Sequence, residues 1–404
     1  MHRAAWVAIH RWIGLALAAF LVILGLTGGL LAFLPELNHW LAPRLYPGPH
    51  AGVELDVATL AQRAETLVTG SRANSVDLRD VGTATVGMEA RPDAPPLDFD
   101  TLYLDSVSGG ELGRLKSGDL PTTLNEIMPF IYNLHSALAV GDVGGWILGI
   151  VALLWTIDCF VAFYITLPLS HRRGGKSFLA RWKPAWLVKW NASNYRVNFD
   201  LHRAGGLWLW AMLLVFAWSG VYMDLNGFYS RATSLFIDYE QPVWARPAPP
   251  PREDAREPLE WKAAQEIARR LMDEQARGHG FRIERPLAFY FMREKGLYEY
   301  RVRSSRDIGD KNGQTSIDFN AYTGALENVS LPTGQRAGAT LTTWLIELHM
   351  ANLFGLPYRI FVCGLGMVIV MLSVTGVYIW WKKRHARKAH ARSAATRHLE
   401  ESRA

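Results

Sequence analysis

Four histidines recur in two sets of matching sequence. His10 stands in His10-Arg11-Trp12-Ile13-Gly14-Leu15 and His202 in His202-Arg203-Ala204-Gly205-Gly206-Leu207, and each set opens an apolar run. His135 follows Leu134 and precedes Gly141; His349 follows Leu348 and precedes Gly355; each stands just ahead of another apolar run. An ionisable ring beside a hydrocarbon segment is unfavourable unless a partner or a metal takes its lone pair, so such a residue is functional by default. Neutral imidazole ligates iron, and a b-type haem in a helical bundle takes one axial ligand on each face from facing helices. Four such rings therefore imply two haem b groups. With both axial positions filled the iron offers no site to a substrate, so the chemistry implied is outer-sphere transfer of single electrons rather than oxygen activation.

The elements that must position these rings are apolar segments. Four stretches reach the length of about 20 residues needed to cross a hydrocarbon core of roughly 30 Å: Ile13 to Leu34, Trp146 to Leu167, Leu207 to Leu225 and Ile360 to Trp381. Asp158 and Asp224 are the exceptions to their lack of charge. The first lacks an A-x-A-like cleavage site and is followed by further spans, which predicts a retained helix rather than a secretory signal. Each half of the chain then crosses twice, so the halves are parallel repeats about an axis along the membrane normal. That arrangement puts His10 and His202 at one depth and His135 and His349 at another. The glycines at Gly141 to Gly145 and the Gly355-Leu356-Pro357 turn are expected to interrupt helix just after the second two, leaving them on short interfacial helices.

Lys and Arg near the spans fix the expected orientation. Arg172, Arg173, Lys176, Arg181, Lys183 and Lys189 lie between spans two and three, and Lys382, Lys383, Arg384, Arg387 and Lys388 follow span four. Both groups are expected on the cytoplasmic side, with both termini. The resulting layout is a membrane protein with spans at 10–34, 146–168, 202–225 and 358–381. Two periplasmic α+β modules at 35–145 and 226–357 lie between them, with a cytoplasmic connection at 169–201 and a basic tail at 382–404. The net charge of +6 over 404 residues is mostly this anchoring. It implies the lipid bilayer and no nucleic acid, because Trp182, Trp186 and Trp190 among the basic residues read as interfacial belt residues. Cys159 and Cys363 fall inside spans and form neither CxxC nor CxxCH, which argues against disulfides and covalent c-type haem. No GxGxxG follows a strand, so a partner rather than NAD(P)H bound to this chain is expected to supply electrons.

Each insert carries a helix-period segment, Leu55 to Val68 and Leu259 to Met272, followed by alternating strands. Thr101 to Leu104 leads into Asp105-Ser106-Val107-Ser108-Gly109-Gly110, and Thr315 to Phe319 into Asn320-Ala321-Tyr322-Thr323-Gly324; strand followed by Asx and Gly is a turn signal. The Pro-rich stretch Pro247 to Pro251 reads as a linker.

Plainer roles exist for several of these residues. Arg11 and Arg203 are placed either to neutralise haem propionates or to anchor the spans by charge. Asp158 is expected to pair with a neighbouring polar or basic side chain. Thr27-Gly28, Ser219-Gly220 and Thr375-Gly376 are packing features that let helices approach. His171 reads as a solvated loop residue, and His2, His39, His50, His279, His385, His390 and His398 as surface residues without a counterpart.

The combination of His-Arg-x-x-Gly-Leu opening a span, Thr-Gly or Ser-Gly near its end, a strand-Asp-x-x-x-Gly turn, Leu-His with a later Gly, and a last span ending Thr-Gly-Val-Tyr-Ile-Trp-Trp resembles the PepSY-associated transmembrane family over nearly the whole chain. The resemblance implies a bacterial inner-membrane protein of the di-haem type that reduces ferric siderophores at the periplasmic face. His10, His202, His135 and His349 would then be the haem-iron ligands, in pairings that the motifs leave open. It implies a ferric siderophore or similar chelate as substrate and a cytoplasmic flavin, flavoprotein or quinol as donor. Ile165-Thr166-Leu167-Pro168 departs from the family's Thr-Gly-like span ending. Two other readings are a membrane-anchored PepSY-type protein that binds a periplasmic protein or peptide, and a siderophore transport subunit. A passive anchor has no need of histidines at repeated depths, and four spans packed on haem leave little room for a transport path.

Overall fold

A run of apolar residues free of proline and charge has no alternative to helix in lipid, because helix alone satisfies its backbone within the segment. The computed structural model, which describes residues 3–168, 177–249 and 257–401, contains three helices long and apolar enough to cross a membrane, or four if one bent pair counts as a single span. His2 and His171, Arg172, Arg173, Lys176 and the end of the Pro-rich stretch lie outside the described residues, as do the side chains of His390 and His398.

In chain order, α1 (Arg3–Leu31) and α2 (Leu34–Leu41) lead to α3 (Val57–Leu67) and to β1 (Ser71–Asp77), β2 (Thr83–Ala90), β3 (Thr101–Asp105) and β4 (Glu111–Leu115). Then come α4 (Ile127–Ala137), α5 (Gly141–Thr166), α6 (Phe178–Trp182), α7 (Asn194–Trp208), α8 (Trp210–Asp224) and α9 (Asn226–Ser234). The second insert repeats the first as α10 (Trp261–His279), β5 (Ile283–Met292), β6 (Leu297–Ser304), β7 (Thr315–Asn320), β8 (Leu326–Ser330) and α11 (Ala337–His349), and α12 (Gly355–Glu401) closes the chain.

Two compact units result. The helical unit joins α1 to most of α5, α7, α8 and α12. Its core is Cys159, Leu213, Ala217, Leu365 and Ile369 with Leu21 and Trp155 packed against them. Small residues bring α1 and α12 together: a Cβ on Gly25 would fall 2.7 Å from the Gly366 carbonyl oxygen, and one on Gly366 would fall 2.3 Å from that of Gly25. Close contact thus runs through Gly25, with Gly29 also against Cys363 of α12 and Thr27 buried between them. Large apolar side chains such as Ile150, Phe160, Met367 and Val374 point outward, as on helices whose solvent is lipid. The third apolar segment is not straight: α7 and α8 meet at 69°. The bend follows the Gly205-Gly206 pair, a recognised source of kinks, and Leu209 N–H is shared between the Gly205 and Leu207 carbonyls there. At the atypical end of α5, Arg3 donates to the carbonyls of Ile165 and Leu167, satisfying acceptors at a helix end that has no further turn to bond them.

The other unit holds one antiparallel sheet of order β4-β3-β2-β1-β5-β6-β7-β8. The inserts are therefore halves of a single sheet rather than two separate modules. They join where β1 pairs with β5, Ser75 opposite Tyr290, Val76 opposite Phe289 and Asp77 opposite Ala288. Residues from both halves, among them Leu60, Val76, Leu104, Met272, Phe289 and Phe319, form one core under α3 and α10. The two expected turns match closely. Asp105 Oδ1 accepts from the N–H groups of Val107 and Ser108 ahead of Gly109 at φ 68°, and Asn320 Oδ1 accepts from Tyr322 and Thr323 ahead of Gly324 at φ 72°.

Candidate functional site

Within the helical unit, His10 on α1 and His202 on α7 face each other with ring centroids 6.0 Å apart and planes inclined at 53°. Within the sheet unit, His135 on α4 and His349 at the end of α11 stand 6.4 Å apart at 76°. The four histidines thus pair across the repeat, first copy with second. Metal–imidazole bonds of about 2.0 Å on opposite sides of one ion put two ring centres about 6.3 Å apart. Both spacings match that requirement.

The first pair has its outer ring nitrogens fixed. Nδ1 of His10 donates to both oxygens of Asp158 on α5 at 3.0 Å. Nδ1 of His202 donates to the Leu372 carbonyl at 3.0 Å, with Thr375 Oγ1 at 3.2 Å. Because a carboxylate and a carbonyl only accept, each Nδ1 carries the hydrogen and each Nε2 keeps its lone pair. This is the usual support of a metal-ligating histidine, in which the far nitrogen is held by a carboxylate or backbone oxygen.

Space beside the rings suits a flat group. Gly14 and Gly206 lie four residues after His10 and His202, hence one turn along the same helix faces. A Cβ on Gly14 would meet nothing within 4 Å, and one on Gly206 only Leu372 Cδ2 at 4.0 Å. A Cβ on Gly376 would lie 3.2 Å from His202 Cε1, so Thr375-Gly376 forms the ring's back wall. Arg11 has a buried Nε without a hydrogen-bond partner, an orphan donor beside His10 that an anionic propionate would satisfy. Arg203 is occupied differently: it donates to the carbonyls of Pro184 and Ala185 and pairs at 2.7 Å with the fully buried Asp200, fastening the preceding loop to α7. The residues around His10 and His202 would suit a bis-imidazole haem, with Arg11 left free to meet a propionate while Arg203 is held by Asp200.

The second pair owes its position to two turns under strain. Among the described residues, the non-glycine residues with left-handed φ are Leu138 (52°), Ala139 (55°), Ala351 (53°) and Phe354 (58°), and all four follow closely after His135 or His349. Such conformations persist only where the surroundings over-determine them, and they gather at functional sites. Here Ala139 N–H bonds to the Asn133 carbonyl, Gly355 N–H to Asp310 Oδ2 at 2.7 Å, and Asp310 N–H to the Asn352 carbonyl. The first break in helix lies at Leu138 to Val140, not in Gly141 to Gly145, which begins α5. Gly144 instead permits a close approach. A Cβ there would fall 1.7 Å from the Ala137 carbonyl oxygen, so α5 starts pressed against the end of α4. Loss of water around both rings holds His135 down to about 4 and His349, which also faces His135, down to about 3, so both are neutral near pH 7. Neutral imidazole is the ligating form.

The same unit carries an open cleft lined by Tyr222, Trp244, Arg246, Arg301, Asp318 and Arg336 and by Thr342 and Ile346 of α11. Thr342 and Ile346 share a helical face with His349, standing seven and three residues before it. Burial raises Asp318 to about 7. Glu347, 1 % exposed and two residues before His349, is raised to about 7 as well. Neither residue was marked by any sequence motif; burial alone distinguishes them. As the lone acid of its span Asp158 signalled a partner without naming it, and Thr375-Gly376 carried a packing signal only. Of the remaining histidines, His50 pairs with Asp105 and His385 meets the Trp381 ring edge-on.

A sequence profile described as the PepSY-associated TM region matches residues 7–383. No curated protein matches the chain.

Proposed function

The chain belongs to the PepSY-associated transmembrane family, and on that premise we propose that it is an inner-membrane di-haem reductase that carries electrons outward to a ferric chelate. The observation that carries this reading is the paired geometry: two histidine pairs at 6.0 and 6.4 Å, the first with each Nδ1 held by an acceptor. His10 and His202 would hold one haem b and His135 and His349 the other. When bound, these groups supply reversible one-electron chemistry at six-coordinate iron.

The chain's own residues do the rest. Asp158 and the Leu372 carbonyl hold the first two rings in one tautomer and orientation, while the strained turns after Leu138 and Ala351 hold the second two. Arg11 offers charge to a propionate. The cleft along α11 is the docking place for a ferric siderophore or similar chelate, because its Thr342 and Ile346 wall belongs to the helix face that ends at His349. Release of iron follows from reduction, since hard oxygen donors hold Fe(III) far better than Fe(II). Basic residues beside the apolar helices argue for both termini and the α6 region in the cytoplasm, where a flavin, flavoprotein or quinol donates. The sheet unit then lies in the periplasm.

The test is stoichiometric. Protein purified with haem, reduced under anaerobic conditions and freed of reductant, is given a ferric hydroxamate chelate and an Fe(II)-trapping dye. One trapped Fe(II) per stored electron supports the reading, and haem that stays reduced with no trapped iron argues against it.

A further inference from the structure

Asp158 is an acid beside the first histidine pair that the electron-transfer reading uses for orientation alone. It lies on α5, is 7 % exposed, and keeps both oxygens 3.0 Å from His10 Nδ1. A carboxylate in an apolar helix is held against a large desolvation penalty, and a neutral acceptor would orient the ring as well. The partner ring makes the contrast: His202 rests on the Leu372 carbonyl and the Thr375 hydroxyl, both neutral. The two imidazoles thus differ in the charge of the acceptor behind them.

A carboxylate behind a ligating imidazole strengthens donation from its other nitrogen. Stronger donation and a nearby negative charge both favour ferric over ferrous iron, and hydrogen bonding to the ligands is one of the levers that set haem potentials. We propose that Asp158 is a positioning residue that lowers the reduction potential of the His10–His202 site, an inference that rests on the haem reading above. The step concerned is the gain of one electron by ferric iron as a flavin or quinol donor loses one, with no bond made or broken in the protein. A low potential at this site favours passing that electron onward.

The experiment is a spectroelectrochemical titration of the purified haem-loaded protein and its Asp158→Asn variant, with haem per chain measured alongside. The expected result is that both haems are retained and one of the two midpoints rises by a tenfold change in reduction equilibrium or more, which is about 59 mV for one electron, while the other midpoint stays. Two unchanged midpoints with both haems present would overturn the proposal. Should Asn lose a haem, Asp158→Ser, which keeps an acceptor without the charge, is read in the same way; loss of that haem from both variants would make Asp158 a structural support only and also overturn it. Wild-type protein without haem would instead overturn the function on which the proposal rests.

Discussion

Gly144→Ala adds one methyl group where the start of α5 passes the end of α4. Its Cβ would sit 1.7 Å from the Ala137 carbonyl oxygen and 2.4 Å from the carbonyl carbon. A carbon–oxygen approach of about 3.3 Å is the usual limit, so the two backbones must part by roughly 1.5 Å. Overpacking of this kind costs about 1–3 kcal/mol and occasionally more, and with backbone on both sides we expect about 3 kcal/mol. At about 2–4 °C per kcal/mol for a domain of 150–250 residues, the unfolding midpoint should fall by roughly 6–12 °C. His135 lies two residues before Ala137, so its ring should also leave register with His349 and the haem of that pair should be lost. The neighbour is the control: a Cβ on Gly145 meets nothing within 4 Å, and Gly→Ala inside a helix gains about 0.5–1 kcal/mol. Thermal unfolding in detergent with haem counting should move the two variants in opposite directions. Equal shifts, or two haems retained by Gly144→Ala, would rule out a steric requirement for glycine at this crossing.

Phe289, fully buried beside Val76 at the junction of the half-sheets, should cost about 3–5 kcal/mol on truncation to Ala, and residues 31–146 expressed alone should show no cooperative unfolding by circular dichroism. Arg203→Ala should destabilise by about 1 kcal/mol, since Asp200 keeps Arg196 at 2.9 Å and the Lys189 N–H while the Pro184 and Ala185 carbonyls lose their donor, yet leave haem content unchanged, whereas Arg11→Ala should leave stability nearly unchanged and speed haem loss to a scavenging apoprotein. Glu36 is held down to about 2, first by its hydrogen bond from Arg359. A carboxylate with a depressed folded pKa stabilises above its unfolded value and loses that contribution as pH falls from about 4.5 towards 2. Stability measured across that window should therefore slope less in Arg359→Ala than in the wild type.

The repeat was legible because it is written in local patterns: His-Arg with a glycine four residues after each histidine, and strand–Asx–Gly turns that the fold reproduces at Asp105 and Asn320. The long apolar runs announced their helices for the same reason. What lay beyond the sequence depends on distant partners. Val76 and Phe289 each look like ordinary strand residues, and nothing local says that they meet and fuse the inserts into one sheet. The 69° bend near Leu209 rests on how α7 packs, and Gly205-Gly206 permits it without requiring it. Arg11 and Arg203 occupy identical motif positions, yet the buried Asp200 and the loop carbonyls claim only the second. Asp158 was expected to find a partner, but that the partner is His10 emerges only when α1 and α5 are side by side. Leu138, Ala139, Ala351 and Phe354 carry no side-chain preference for left-handed backbone, so the strain that marks the second pair was invisible to any reading of residue types.

Whether the four histidines hold two haems is decided most directly by a reduced-minus-oxidised visible spectrum of the purified protein, with a pyridine haemochrome assay for haem per chain. Sharp low-spin b-type bands at about two haems per chain are expected, as bis-histidine ligation requires; protein that carries no haem after expression with ample haem would contradict the assignment.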